Sequence, residues 1–122
     1  MTKIVLDTNF VTVPFDLWVD IYAELDRIID EKYELVFPKV ALKELEKLKN
    51  GKMALQLMKR KGVKVVETPR AKSVDDAILG YAKAQKAILA TNDAGLRKKA
   101  LKNGLAIITL RAKKYLIRLG GM

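Results

Sequence analysis

The sequence contains no cysteine and no histidine. That double absence removes thiolate nucleophiles, Ser-His-Asp hydrolysis, imidazole acid–base catalysis and the common zinc sites. Any catalysis must use carboxylates, hydroxyls, amides, lysines or a bound hard cation. Disulfide staples are excluded too, so the 122 residues must hold their fold by packing, for which one domain over 1–122 is long enough. No run of about 18 apolar residues occurs, so no membrane partner is expected. Aromatic residues make up 7% of the chain, too few and too scattered for a base-stacking platform. The opening, MTKIVLD, enters strand-like sequence at once and lacks the pattern of a signal peptide. A cytoplasmic protein is the expectation.

What the chain has instead is basic charge, net +10 with a pI near 9.8. A polyanionic partner fits that charge, as does a lysine-rich thermophile surface. The charge is uneven. Residues 1–34 hold 8 acids and 3 bases, residues 35–70 hold 3 and 10, and residues 71–122 hold 3 and 11.

Short apolar runs alternate with helical patterns, the signature of βαβ units around a parallel sheet. The spacing predicts strands at 3–7, 35–37, 63–66, 87–91 and 106–110. Leu17, Trp18, Ile21, Leu25, Ile28 and Ile29 follow one helical stripe, and Pro38 opens a helix to about Lys49. Further helices are predicted from Gly51 to Lys61, from Ser73 to about Gln85, and from Asp93 to Asn103. Residues 111–119 fit strand and helix alike. The fold class is an α/β three-layer α/β/α sandwich with a central, mostly parallel sheet of about five strands.

Four acids fall near one edge of that sheet. Asp7 follows the apolar run Ile4-Val5-Leu6, where a carboxylate is costly without a partner or a task. Glu44 borders the apolar stripe of its helix, whereas Glu46 is flanked by lysines and asparagine on its own face. In SVDDAILGYA, Ser73 and Asp76 have capping-box spacing, which leaves Asp75 to turn inward. Asp93 follows the run ILATN. Each has an ordinary alternative: a turn or helix cap for the aspartates, a surface ion pair with Lys47 for Glu44. Taken together, they would crowd negative charge into one cleft at the carboxyl ends of the strands. An all-oxygen donor set of this kind suits Mg²⁺ or Mn²⁺.

The stretches IVLDTNFV, LKELEKL, DDAILGYA and ILATNDAGLRKKA resemble the PIN-domain ribonuclease family over essentially the whole chain. The archaeal branch similar to rRNA-processing PIN nucleases is the nearer likeness, and VapC-type toxins share the fold and the acids. The resemblance implies a PIN-like, Mg²⁺- or Mn²⁺-dependent endoribonuclease with Asp7, Glu44, Asp75 and Asp93 as catalytic, metal-holding residues. It implies Asn9 and Thr91 as residues orienting that set, and products with a 5′-phosphate and a 3′-hydroxyl. RNA is the implied substrate, with Arg97, Lys98, Lys99 and Lys102 as candidate phosphate contacts and Arg111, Lys113 and Lys114 behind them. A homodimer, an antitoxin or a ribosome-assembly partner is compatible with it. The rival reading from another class is a non-catalytic RNA-binding domain of the same fold. A phosphoacceptor receiver domain would need an acidic pair after strand one, and a haloacid-dehalogenase phosphatase a second Asp where Asn9 stands.

Overall fold

Alternation along the strands decides the layering of the computed structural model, which describes residues 1–121. Strand β1 (Thr2–Leu6) sends Ile4 and Leu6 into one core and Val5 into the other. Strand β2 (Tyr33–Pro38) does the same with Leu35 and Phe37 against Val36. After the short β3 (Lys64–Val66), β4 (Ile88–Ala90) and β5 (Ala106–Arg111) repeat the division. A period of two with both faces apolar requires helices on both sides.

The first face is covered by α1 (Thr8–Val11), α2 (Val13–Asp16), α3 (Ile21–Ile28), α4 (Leu42–Lys47) and α5 (Gly51–Arg60). The second is covered by α6 (Val74–Gln85) and α7 (Ala94–Lys102), through Ile78, Tyr81, Ala82, Leu96 and Ala100. Fully buried side chains such as Phe10, Phe37, Leu25 and Ile107 stabilise the two cores by about 1.5–3 kcal/mol each.

The sheet runs β3-β2-β1-β4-β5-β6, with the first five strands parallel and β6 (Tyr115–Gly120) antiparallel to β5. The sheet thus has six strands where about five were expected, and the sixth comes from the stretch that fitted strand and helix alike. The chain leaves β1 towards β2 and returns on the other side at β4. The switch point between β1 and β4 opens a crevice at their carboxyl ends, where open α/β sheets bind ligands.

Two predicted helices are corrected. The stripe from Leu17 to Ile29 is not one helix: α2 ends at Asp16, Trp18 takes a left-handed φ of 58°, and Asp20 caps a new helix through the amides of Tyr22 and Ala23. Trp18 consequently leaves the apolar stripe and is 91% exposed. The helix expected from Pro38 starts one residue later and in another form: Pro38 ends β2 and caps a 3₁₀ turn over Lys39–Ala41, which runs directly into α4. Gly62 and Gly104 stand just past α5 and α7 at φ of 75° and 76°, the left-handed stop positions that favour glycine.

Candidate active site

Asp7 is the first residue beyond β1, and its amide continues the ladder by donating to the carbonyl of Ala90 at 3.0 Å. The side chain is only 4% exposed. Its Oδ1 accepts from the Thr8 amide at 2.8 Å and its Oδ2 from the Thr91 hydroxyl at 2.6 Å. Thr91, fully buried at the end of β4, also accepts the Asp93 amide at 3.1 Å. One hydroxyl therefore ties together the two acids that follow β1 and β4. Asp93 caps α7, its Oδ2 accepting from the Leu96 amide at 2.8 Å.

The helices bring the other two acids. Glu44, in the first turn of α4, lies 3.5 Å from the Thr8 hydroxyl, which donates to it. Asp75 lies in the first turn of α6, where Ser73 accepts the Asp76 amide at 3.1 Å. Burial pushes the Asp7 carboxyl above its ordinary range, and the charges of Asp75 and Asp93 add to the rise against the two hydrogen bonds that oppose it. Burial likewise raises Glu44, followed by the charges of Asp7 and Asp75. Asp75, not Asp76, is the member of the pair whose charge acts on both. Lys47 eases the Glu44 charge without pairing to it, and none of the four acids belongs to an ion pair among the described residues.

The donor set is all carboxylate oxygen, crowded, and paired with no protein cation among the described residues. That chemistry fits a divalent hard cation. Among the described residues no three of these groups close around a single point. An ion held by these carboxylates would need water to complete its shell.

Asn9 braces the same edge. Its Oδ1 accepts the Asn92 amide at 3.0 Å and lies 3.4 Å from the Thr91 hydroxyl. Sequence reasoning missed Asn92 and Thr109. Asn92 accepts from the Leu110 amide at 2.9 Å and from the Thr109 hydroxyl at 3.2 Å, joining the ends of β4 and β5. Thr109 in turn accepts from Arg97 Nη1 at 3.0 Å. The signal for Thr109 was a single polar residue inside AIITL, and for Asn92 its place in TND.

The candidate basic residues separate. Arg97 is half-buried and held by Thr109, and Lys98 is exposed one residue further on. Lys99 is exposed in the last turn, and Lys102 ends α7, about 13 Å along the helix from Asp93 and beside the opposite edge of the sheet. Arg111, Lys113 and Lys114 stand at the β5–β6 turn, on the same edge as the acids. A hollow of about 810 Å³ at the far edge, lined by Asp20, Tyr22, Asp26 and Lys61 among others, contains none of the four acids.

A six-stranded sheet of this topology, with carboxylates gathered at its switch point, defines an α/β protein of the acidic-site kind. The chain belongs to the family of PIN-like domains, which matches it over residues 4–113. It is 35% identical to Ribonuclease VapC4 of Methanocaldococcus jannaschii, over 94% of this chain and 95% of that protein. Its fold is similar to that of the PIN domain endonuclease Utp24, with a TM-score of 0.82 at 24% identity, covering 98% of this chain and 94% of that one. A similar fold also occurs in VapBC2 of Rickettsia felis bound to a DNA fragment from its promoter, with a TM-score of 0.61 at 14% identity over 88% and 98% of the two chains.

Proposed function

We propose that this protein is an endoribonuclease that depends on Mg²⁺ or Mn²⁺, with Asp7, Glu44, Asp75 and Asp93 as its catalytic carboxylates. The observation that carries the reading is the gathering of these acids at one sheet edge, where burial and then the neighbouring carboxylates raise Asp7 and Glu44 and no protein cation pairs with any of the four among the described residues. A divalent ion held there would supply charge to the scissile phosphate and an activated water. Asp7 is held still for that task by Thr8 and Thr91, and Asp93 by its cap to Leu96. Asn9 fixes the β1 end against the β4 end, so the two aspartates keep their separation. Glu44 and Asp75, more exposed, face the same cleft from α4 and α6. Arg97 and Lys98 stand beside it to receive phosphate.

Two cellular roles share this chemistry, rRNA processing and the action of a VapC-type toxin held by an antitoxin. The 35% identity, along nearly the whole of both chains, to a protein named Ribonuclease VapC4 favours the second. A homodimer is compatible with either role.

The deciding experiment is cleavage of a structured RNA with Mn²⁺ or Mg²⁺ and with EDTA, comparing wild type with Asp93→Asn. Asparagine caps a helix as well as aspartate, so this variant removes the charge and keeps α7. The expected result is cleavage that requires the metal and falls by about a hundredfold or more in the variant. Products should carry a 5′-phosphate and a 3′-hydroxyl. Cleavage indifferent to EDTA, or to Asp93→Asn, would overturn the reading.

A further inference from the structure

Asp93 is the last acidic residue of the chain: the 29 residues after it carry eight bases and no acidic side chain. They build α7, β5 and β6, and between these elements lies a groove of about 420 Å³. Gly95, Arg97, Lys98, Leu101, Ile107 and Leu119 line it. The floor is apolar, because Leu119 is left open by α7 above its buried cross-strand partner Ile107. Leu101 and Leu119 are left exposed along it. Strand periodicity extends this face from Ile107 through Thr109 to Arg111, and from Leu119 through Ile117 to Tyr115. The groove therefore runs from an apolar floor to a rim of Arg97, Lys98, Arg111 and an exposed tyrosine.

That rim lies at the acidic edge. Gly95 lies two residues after Asp93, and a Cβ there would meet nothing within 4 Å except Asp93 Oδ2 at 3.5 Å. The first turn of α7 is thus bare where it passes from Asp93 into the groove. On the opposite wall β5 overshoots its neighbour: Ala90 of β4 pairs with Ile108, so Arg111 stands three residues, about 10 Å, beyond that level. Arg97 is aimed by its bond to the Thr109 hydroxyl rather than left to swing.

We propose that this groove holds one nucleobase of the RNA strand next to the acidic edge, while the strand's phosphates lie on Arg97, Lys98 and Arg111. The inference deepens the ribonuclease reading and rests on it for the choice of RNA. A volume of about 420 Å³ is within the range that encloses a small-molecule group. A flat ring system over Leu101 and Leu119, with Tyr115 at the rim, gains the apolar contact that a single-stranded base offers. The absence of any acidic side chain after Asp93 favours a polyanion over a protein segment, and continuity with the acids places that polyanion's backbone at the reactive edge.

The test is binding in EDTA, where no cleavage occurs, so it is independent of catalysis. A fluorescein-labelled decamer of oligoadenylate is compared with the matching abasic decamer, which has the same charge and no bases. The wild type should bind the base-bearing strand about tenfold more tightly, the scale of one stacked base. Leu119→Gln and, on the other wall, Leu101→Gln should each abolish that preference while leaving affinity for the abasic strand unchanged. Thermal denaturation checks both folds, and either variant alone suffices. Equal affinity for the two strands, a preference untouched by both variants, or no binding of either strand would overturn the proposal. Failure of the cleavage experiment with the base preference intact would remove the nuclease reading and leave a binding domain that uses this groove.

Discussion

Thr91 has one hydroxyl proton and two acceptors within reach, Asp7 Oδ2 at 2.6 Å and Asn9 Oδ1 at 3.4 Å. The shorter bond goes to the carboxylate, and the oxygen keeps a lone pair for the Asp93 amide. Thr91→Val preserves shape and removes both interactions at a fully buried position. A bond to a charged group contributes about 1.5–3 kcal/mol, so a loss of about 2 kcal/mol is expected in denaturant unfolding. Metal-dependent cleavage should fall about 10–100-fold, as for other groups that orient ligands, and Thr91→Ser should restore most of it. A valine variant that cleaves normally would remove Thr91 from any positioning role. The residue scale also shows why each acid was ambiguous in isolation. Asp93 is a helix cap, as its ordinary alternative held, and Asp7 also caps α1 through the Thr8 amide. Capping uses one carboxylate oxygen and leaves the charge, so the two roles coexist in one side chain.

At the scale of elements, the β5–β6 hairpin is the most strained part of the acidic edge. Lys114 donates to the Arg111 carbonyl at 3.1 Å, and the two residues between, Ala112 and Lys113, have φ of 55° and 54°. Left-handed backbone at both central positions is the geometry that tight hairpin turns usually give to Asn-Gly. A non-glycine residue there costs about 1–2 kcal/mol, offset in glycine by the entropy of the unfolded chain. Lys113→Gly should therefore raise stability by about 0.5–1 kcal/mol, read as a higher midpoint in thermal or denaturant unfolding. A lower midpoint would show that the lysine makes contacts worth more than the strain. The same turn explains why residues 111–119 gave no clear pattern: the hairpin has no glycine or asparagine to mark it, and β6 exposes most of its side chains. The broken stripe at Trp18 has a similar cause. Helical spacing records where apolar residues recur, not where a cap such as Asp20 restarts the helix.

Across the whole molecule, crowding at the acidic edge makes stability depend on pH and on metal together. Burial, then neighbouring charge, raises Asp7 and Glu44 above their ordinary values of 3.8 and 4.5. An acid so raised holds its proton more tightly in the native chain than in the unfolded one. Native stability in EDTA therefore falls as pH rises from the ordinary carboxylate range through the raised values, and the cost persists at neutral pH. Asp7→Asn removes part of that cost. Its amide can keep the Thr8 bond and donate to Thr91, whose proton turns to Asn9. In EDTA the variant should be at least as stable as wild type at neutral pH, with a shallower pH dependence. With Mn²⁺ at about a hundred times its Kd, wild type should gain about 2.7 kcal/mol and the variant less. Strong destabilisation of metal-free Asp7→Asn would make Asp7 a structural cap and nothing more.

The sequence by itself determined the layers, the order of the elements and the four acids. Period-two strands with apolar residues on both faces permit few arrangements, and acids after apolar runs announce themselves by their cost. Tertiary structure alone decided which strands are neighbours, since pairing joins residues far apart in the chain. From that pairing came the meeting of Asp7 with Thr91, the bracing of Asn9 by Asn92, the hold of Thr109 on Arg97, and the groove between α7 and the β5–β6 hairpin. It also separated Lys102 from the acidic edge, because a helix that begins at the site ends a full helix length away. Local pattern reports what each segment must bury. Only the register of a sheet reports what its ends bring together.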